Sequence, residues 1–478
     1  MMDNTSAVSF RTAMIFCFAI GLVLFFCAFQ LRSYPNSEFD EGVYLAAFKS
    51  VQNGFPLYTQ TYMSQPPGFF VTTFPLYVAF GSSLEAARLA VFFYSLVGLF
   101  AIVWLGWEFN SVVFGFIAIS LLYMLPLYYI QILTFHGDSL PAAFSTLALA
   151  SMLRFRNATL WRWVVLSAFF VATAVMIKAD FAILPSLLLV LVVKTGVEKQ
   201  RISDLIKRLA VFAAAFLVSL LLFTLPFGIN DVYANVIELR LRVAAGTSAD
   251  PTTFINFLRE QSELVNLLAA GIVLSIIAFI SVKDARFPLI LVFLWVATTI
   301  VSLLVYHPLL PHHLAFLAVP ITLFFAFSLF KLLNLIKFPN VVPAAVTLLV
   351  VVVLVNRLHY ASIPQAGVAT ALQLKGIQLV QTYTEIGDYI ICDDGIVSSL
   401  SNRLTPPYLT DLSFVRIASG GVTPEQLENN LKTYKPKMVL VWADRLRNIP
   451  NFDQIMRHYH YRLIDDADTQ HQAYLLQS

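Results

Sequence analysis

Long apolar stretches separated by short polar ones dominate the chain. The first, Thr12 to Leu31, runs twenty residues without a charge. That is the length an α-helix needs to cross a hydrocarbon core of about 30 Å. Met1–Arg11 has the basic start of a signal peptide, but the run behind it exceeds the usual 7–15-residue apolar region. It therefore predicts an uncleaved first span. Further apolar runs lie at about 84–107, 112–130, 138–154, 163–178, 180–194, 209–228, 264–282, 286–306, 314–330 and 340–356. Together they predict about eleven transmembrane helices. The stretch 66–82 is apolar but holds Pro66, Pro67 and Pro75 after a polar loop, which predicts a helix lying at the membrane interface.

Past residue 360 the pattern changes. A helical period near 369–384 leads into the short apolar strand Tyr389–Cys392. Thr423-Pro424-Glu425-Gln426 has the makings of a helix start, with Thr as cap, Pro first and Gln three residues on. Leu427, Leu431 and Tyr434 follow on one face, then a second strand at Met438–Trp442. Tyr461–Leu463 and Ala473–Leu476 can pair as a terminal hairpin. The expected organisation is a polytopic α-helical membrane domain over 1–359, with its first outer loop at 32–82, and a small extracytoplasmic α/β domain over 360–478.

Composition agrees: 58% of residues are hydrophobic and 12% charged, against about 25% charged in a soluble protein. This excludes a disordered, collagen-like or disulfide-stapled chain and argues against a simple soluble enzyme. A formal net charge of +3 without a basic stripe excludes nucleic acid as a partner. The three cysteines, Cys17, Cys27 and Cys392, fall in apolar segments without metal spacing and read as buried filler. With the N-terminus in the cytoplasm, the inner segments hold roughly twice as many Lys and Arg as the outer ones, which sets that orientation. An odd span count then puts the C-terminal domain outside, on the same face as loops 32–65, 131–137, 229–263 and 307–313.

Those outer loops carry the candidate chemistry. Ser37-Glu38-Phe39-Asp40-Glu41-Gly42 places three carboxylates within four positions beside a span. They are either a solvated acidic helix start or functional groups, for which the roles are general base for a hydroxyl or ligand of a divalent ion. Gln65-Pro66-Pro67 fixes a rigid turn. His136-Gly137-Asp138-Ser139 stands at the mouth of a span, where Asp138 reads as a helix cap or, more sharply, as a group facing Asp40. Lys178 and Asp180 sit between apolar runs, as a mutual pair, as snorkelling side chains or as a phosphate contact. Glu238, Arg240, Arg242 and Arg259 share one loop, and arginine suits bidentate phosphate contact. His307, His312 and His313 stand at another span mouth. On an α-helix neighbouring residues point about 100° apart, which weakens a shared metal site at His312 and His313 and leaves hydrogen bonding to a substrate or head group as an equal alternative.

With these features the chain resembles the GT-C superfamily of polyprenyl-phosphate-sugar glycosyltransferases. Within it, it looks most like glycosyltransferase family 39 and its relatives, the protein O-mannosyltransferases and lipid A aminoarabinose transferases. The resemblance rests on one span followed by Asp40-Glu41, the Gln65-Pro66-Pro67 turn with its interfacial helix, the second acidic site at Asp138, and a many-span bundle with an outer C-terminal domain. It covers residues 10–360, and less specifically the tail with Asp393-Asp394 and Thr405-Pro406-Pro407-Tyr408. It implies inverting transfer of a sugar from a polyprenyl phosphate to a hydroxyl of a glycan, lipid or protein, at the outer face of a bacterial plasma (inner) membrane. Asp40, with Glu41 beside it, matches the catalytic position. Asp138, His136, Gln65, Lys178, Arg240, Arg242, His312 and His313 are the matching substrate-binding candidates. The resemblance specifies no definite cofactor, although Asp40 and Asp138 could share a divalent metal. Gln65 stands where aminoarabinose transferases tend to have lysine. A neutral amide leaves the lipid phosphate to another cation and leaves the sugar open.

Two other function classes compete. A transporter or flippase for lipid-linked sugars predicts ionisable groups at mid-span and interrupted helices. A non-catalytic membrane assembly protein predicts no need for Asp40. The gathering of acids at span ends rather than mid-span favours chemistry at one face.

Overall fold

The computed structural model of the chain describes residues 10–31, 39–109, 111–179, 181, 202–246, 250–306, 308–336, 341–362, 369–466 and 471–477. The expected span over 180–194 apart from Phe181, together with Glu38 and His307, lies outside them.

The N-terminal part is a helical bundle. Its first elements are α1 (Phe10–Leu31), α2 (Phe39–Gln52), α3 (Pro67–Ala79) and α4 (Leu84–Glu108). They are followed by α5 (Val112–Met124), α6 (Pro126–Leu133), α7 (Leu140–Ala158) and α8 (Arg162–Ile177). Next come α9 (Ile202–Thr224), a helix α10 over 229–246 with a π-helical stretch at Tyr233–Glu238, and α11 (Pro251–Glu260). The last are α12 (Ser262–Ser281), α13 (Arg286–Val305), a 3-10 segment Pro311–Leu317 leading into α14 (Ala318–Leu333), and α15 (Val341–Ser362). Helix α4 is central and packs against α1, α3, α5 and α7. It starts where the Ser83 hydroxyl accepts the Ala86 N–H, the usual service of a serine cap.

The chain is an integral membrane protein. Among the described residues six helices are long and apolar enough to cross a bilayer, fewer than the eleven expected. One expected span, 112–130, is broken: α5 and α6 meet at 78°. Pro126 is the cause. It has no N–H to continue the ladder, and it holds Leu125 in an extended conformation, ψ 116°. The run 163–178 folds as the 16-residue α8, at the short end for a span. The stretch 66–82, expected to lie at the interface, folds as α3, a 13-residue apolar helix begun by Pro67. Outward-facing Leu217, Leu221 and Leu222 on α9 are ordinary where the solvent is hydrocarbon.

The C-terminal part contains α16 (Ala371–Tyr383), β1 (Ile390–Cys392), α17 (Gly395–Leu400), α18 (Phe414–Ala418), α19 (Pro424–Tyr434), β2 (Met438–Val441), α20 (Phe452–His458), β3 (Tyr461–Asp466) and β4 (Gln472–Leu476). The sheet order is β1-β2-β4-β3, with β1 and β2 parallel and the other pairs antiparallel. The strand period of two sends Ile391, Val439 and Val441 to one core with Leu427 and Leu431. Ile390, Met438 and Leu440 go to the other with Val380 and Trp442. Thr423 and Gln426 form the expected reciprocal cap. All three cysteines are buried and free.

This part docks on the loop between α1 and α4. Helices α2 and α17 cross at Gly42 and Gly395, so closely that a Cβ on Gly42 would lie 2.5 Å from the Ile396 nitrogen. Pro407 accepts the Tyr62 N–H, and the Thr410 hydroxyl donates to the Tyr62 carbonyl. Arg416 lies over the Tyr62 ring and Arg445 over the Phe39 ring, each 3.3 Å from the centroid.

Candidate active site at the mouth of the bundle

Four elements bring the expected polar residues together. The first turn of α2 supplies Asp40 and Glu41, and the loop before α7 supplies His136 and Asp138. Lys178 comes from the end of α8, and His312 and His313 from the 3-10 segment before α14.

Asp138 does not cap α7: no side chain bonds that helix start. It is 1% exposed and faces Lys178, whose Nζ lies 2.5 Å from Oδ1. His312 Nε2 is 3.4 Å and His136 Nδ1 3.8 Å from Oδ2. Burial pushes the Asp138 carboxyl up, but the Lys178 ammonium, His312 and the His136 hydrogen bond outweigh it and hold it well below the usual carboxylate range. Asp40 is half-buried across the same cluster. Its carboxylate, His136 and His312 offer ligand atoms within 4.8 Å of one another. The two aspartates thus converge on His312.

Glu41 is placed differently from its neighbour. It is fully buried, and Arg88 of α4 donates Nε to Oε1 at 2.8 Å and Nη2 to Oε2 at 2.7 Å. The Phe135 N–H also donates to Oε1, at 2.6 Å. With both oxygens engaged, Glu41 braces α2 against α4 and holds the His136–Asp138 loop beside Asp40. Gln65 is buried too and donates to the Tyr44 hydroxyl at 2.8 Å. Tyr44 packs on Phe69 and Phe135. Burial, then Asp40 and Asp138, pushes its phenol well above the ordinary value, so it keeps its proton beside the two acids.

The two loop arginines diverge. Arg240 is half-buried and donates to the Tyr306 hydroxyl at 3.3 Å, and Tyr306 in turn packs edge-on to His313. Arg242 is on the exposed side and pairs with Glu238, four residues back, at 2.5 Å. His312 and His313 correct the helical expectation. Their ring centroids are 4.5 Å apart, and both bring ligand atoms within 4.8 Å of Asp138. The segment is 3-10 and not α-helical, and it turns tightly after Pro311.

Four residues in and around the site had not been singled out from the sequence. Arg88 has a signal, as a charge with Glu85 at the start of an apolar run. Tyr44, Arg416 and Arg445 have none, because their contacts come from remote elements.

The same arrangement of helices occurs in solved structures. ArnT from Cupriavidus metallidurans bound to undecaprenyl phosphate is similar with a TM-score of 0.65 at 14% identity, over 98% of each chain. Its apo state gives 0.63 at 14% identity, over 96% of this chain and 97% of that one. The apo oligosaccharyltransferase of Archaeoglobus fulgidus gives 0.54 at 12% identity, over 99% of this chain and 75% of the other. The chain has a GT-C fold. No family model matches the sequence, and no curated protein is similar to it in sequence.

Within this GT-C frame two donor sets among the described residues fit a divalent cation by type. Asp138, His312 and His313 form one, but Lys178 sits on Asp138, and His313 Nδ1 accepts the Leu310 N–H at 3.0 Å. Asp40, His136 and His312 form the other, a carboxylate with two imidazoles, which suits a first-row transition metal.

Proposed function

We propose that the chain is an inverting glycosyltransferase that moves a sugar from a polyprenyl phosphate to an acceptor hydroxyl. The reaction takes place at the outer face of a bacterial plasma membrane, with the N-terminus in the cytoplasm and the C-terminal domain over the site. The observation that carries this reading is the convergence of Asp40 and Asp138 on His312, at the ends of membrane helices. The shared fold with ArnT, a protein captured with undecaprenyl phosphate, supports the donor class.

Asp40 is the base. It takes the acceptor's hydroxyl proton as that oxygen bonds to the anomeric carbon. The bond from that carbon to the lipid phosphate breaks on the opposite face, and the phosphate leaves with the electron pair. The phosphate needs no proton to depart, so one carboxylate suffices. Lys178, oriented by Asp138, and Arg240 on Tyr306 meet the growing negative charge. Glu41 serves as a positioning residue through Arg88 and Phe135. A divalent cation would be held by Asp40, His136 and His312 and would supply positive charge at the site. The acceptor is a glycan, lipid or protein hydroxyl.

The test is to incubate the purified protein with a panel of polyprenyl-phosphate sugars and follow release of free polyprenyl phosphate. Release that depends on acceptor and on Asp40 supports the reading. Absence of release across hexose and pentose donors, with and without divalent cations, would overturn it.

A further inference from the structure

Helix α2 presents Asp40 at one end and Lys49 near the other. Around Lys49, where α2 meets the C-terminal domain, lies a small hollow lined by Lys49, Ser50, Ser399, Arg403 and Thr405. Its volume is about 10 Å³, room for one ligand of about the size of water.

The lining is one-sided in charge. Lys49 Nζ donates to the Ser399 carbonyl at 2.6 Å. Arg403 donates to the Thr384 hydroxyl and carbonyl and to the Ser401 carbonyl, at 2.7–2.9 Å. These partners are all neutral. Among the described residues no carboxylate lies within ion-pair distance of either cation. Burial alone shifts the Lys49 ammonium, downward, with no acid opposing it. Ser399 lines the hollow, and its hydroxyl is buried and makes no hydrogen bond. A buried guanidinium, a half-buried ammonium and an idle hydroxyl around one cavity leave charge uncompensated, a costly arrangement unless an anion completes it.

We propose that this hollow binds a single monoatomic anion of the halide class, held by Lys49, Arg403 and the Ser399 hydroxyl. A monoatomic anion matches the small accessible volume of the hollow. The anion ties α2 to α17 and Arg403, and so fastens the helix that carries Asp40 to the C-terminal domain. This inference stands independently of the transfer reaction.

The experiment uses the full-length protein in detergent. Melting temperature is measured in sodium bromide, sodium chloride and sodium gluconate at equal ionic strength, gluconate being too large to enter. Both halides should raise it by roughly 2–4 °C over gluconate. Lys49→Met should abolish that difference, and Ser399→Ala, a milder change, should weaken it. Crystals grown in bromide should show one anomalous peak in contact with Lys49 and Ser399. An equal halide effect in wild type and Ser399→Ala, or a bromide crystal without a peak in the hollow, would overturn the proposal.

Discussion

Lys178 Nζ stands 2.5 Å from Asp138 Oδ1, with both side chains almost entirely withdrawn from solvent. Such a pair is expensive to halve, because the survivor is left charged in a poor solvent. Asp138→Asn should cost about 3–5 kcal/mol, seen as a lower unfolding temperature in detergent. Asp138→Leu combined with Lys178→Met should recover most of that stability while staying inactive. Recovery of stability without activity would separate the charge balance of the site from its use.

The same carboxylate gives a pH dependence. Asp138 titrates well below its ordinary value when folded. Its contribution to stability is therefore complete at neutral pH and down to about pH 4, the unfolded value, and it fades as pH falls further toward the folded one. The gap in unfolding temperature between wild type and Asp138→Asn should be constant from pH 7 to about 5 and shrink below about 4. A gap that widens in acid would contradict the assignment.

Asp40→Asn keeps the volume and removes the base. Release of polyprenyl phosphate should fall by about 10²–10⁴-fold, with helicity and unfolding temperature unchanged. Full turnover in that variant would take Asp40 out of the mechanism.

Glu41 should behave in the opposite way. Glu41→Ala leaves Arg88 buried without its carboxylate and frees the Phe135 N–H, at a cost of about 3–5 kcal/mol. Replacing both Glu41 and Arg88 by methionine should restore much of the fold. Loss of activity in Glu41→Ala should track loss of folded protein, which quantitative unfolding beside activity will reveal.

Gly42→Ala tests the crossing of α2 and α17. The new methyl would meet backbone, which cannot swing aside as a side chain can. Overpacking of about 1–3 kcal/mol is expected, with the C-terminal domain cut sooner by added protease. An unchanged digestion pattern would mean that the two helices tolerate separation.

Local patterning made much of this molecule legible. The apolar runs foretold α1, α4 and α12–α14. The period-two strands and the Thr423–Gln426 cap gave the C-terminal sheet and its helix, and acids beside span ends marked Asp40 and Asp138. These features depend on neighbours within a turn or two, which composition and spacing record. Pairings across the bundle were decided by tertiary structure alone: Glu41 with Arg88, Asp138 with Lys178, His312 between two aspartates, Arg416 on Tyr62. In sequence, Asp40 and Glu41 look equivalent. One helix step rotates them by about 100°, so that one reaches the histidine cluster and the other an arginine in the core. Which acid is free to act depends on what packs against each face of α2, and that is settled only when remote helices close around it.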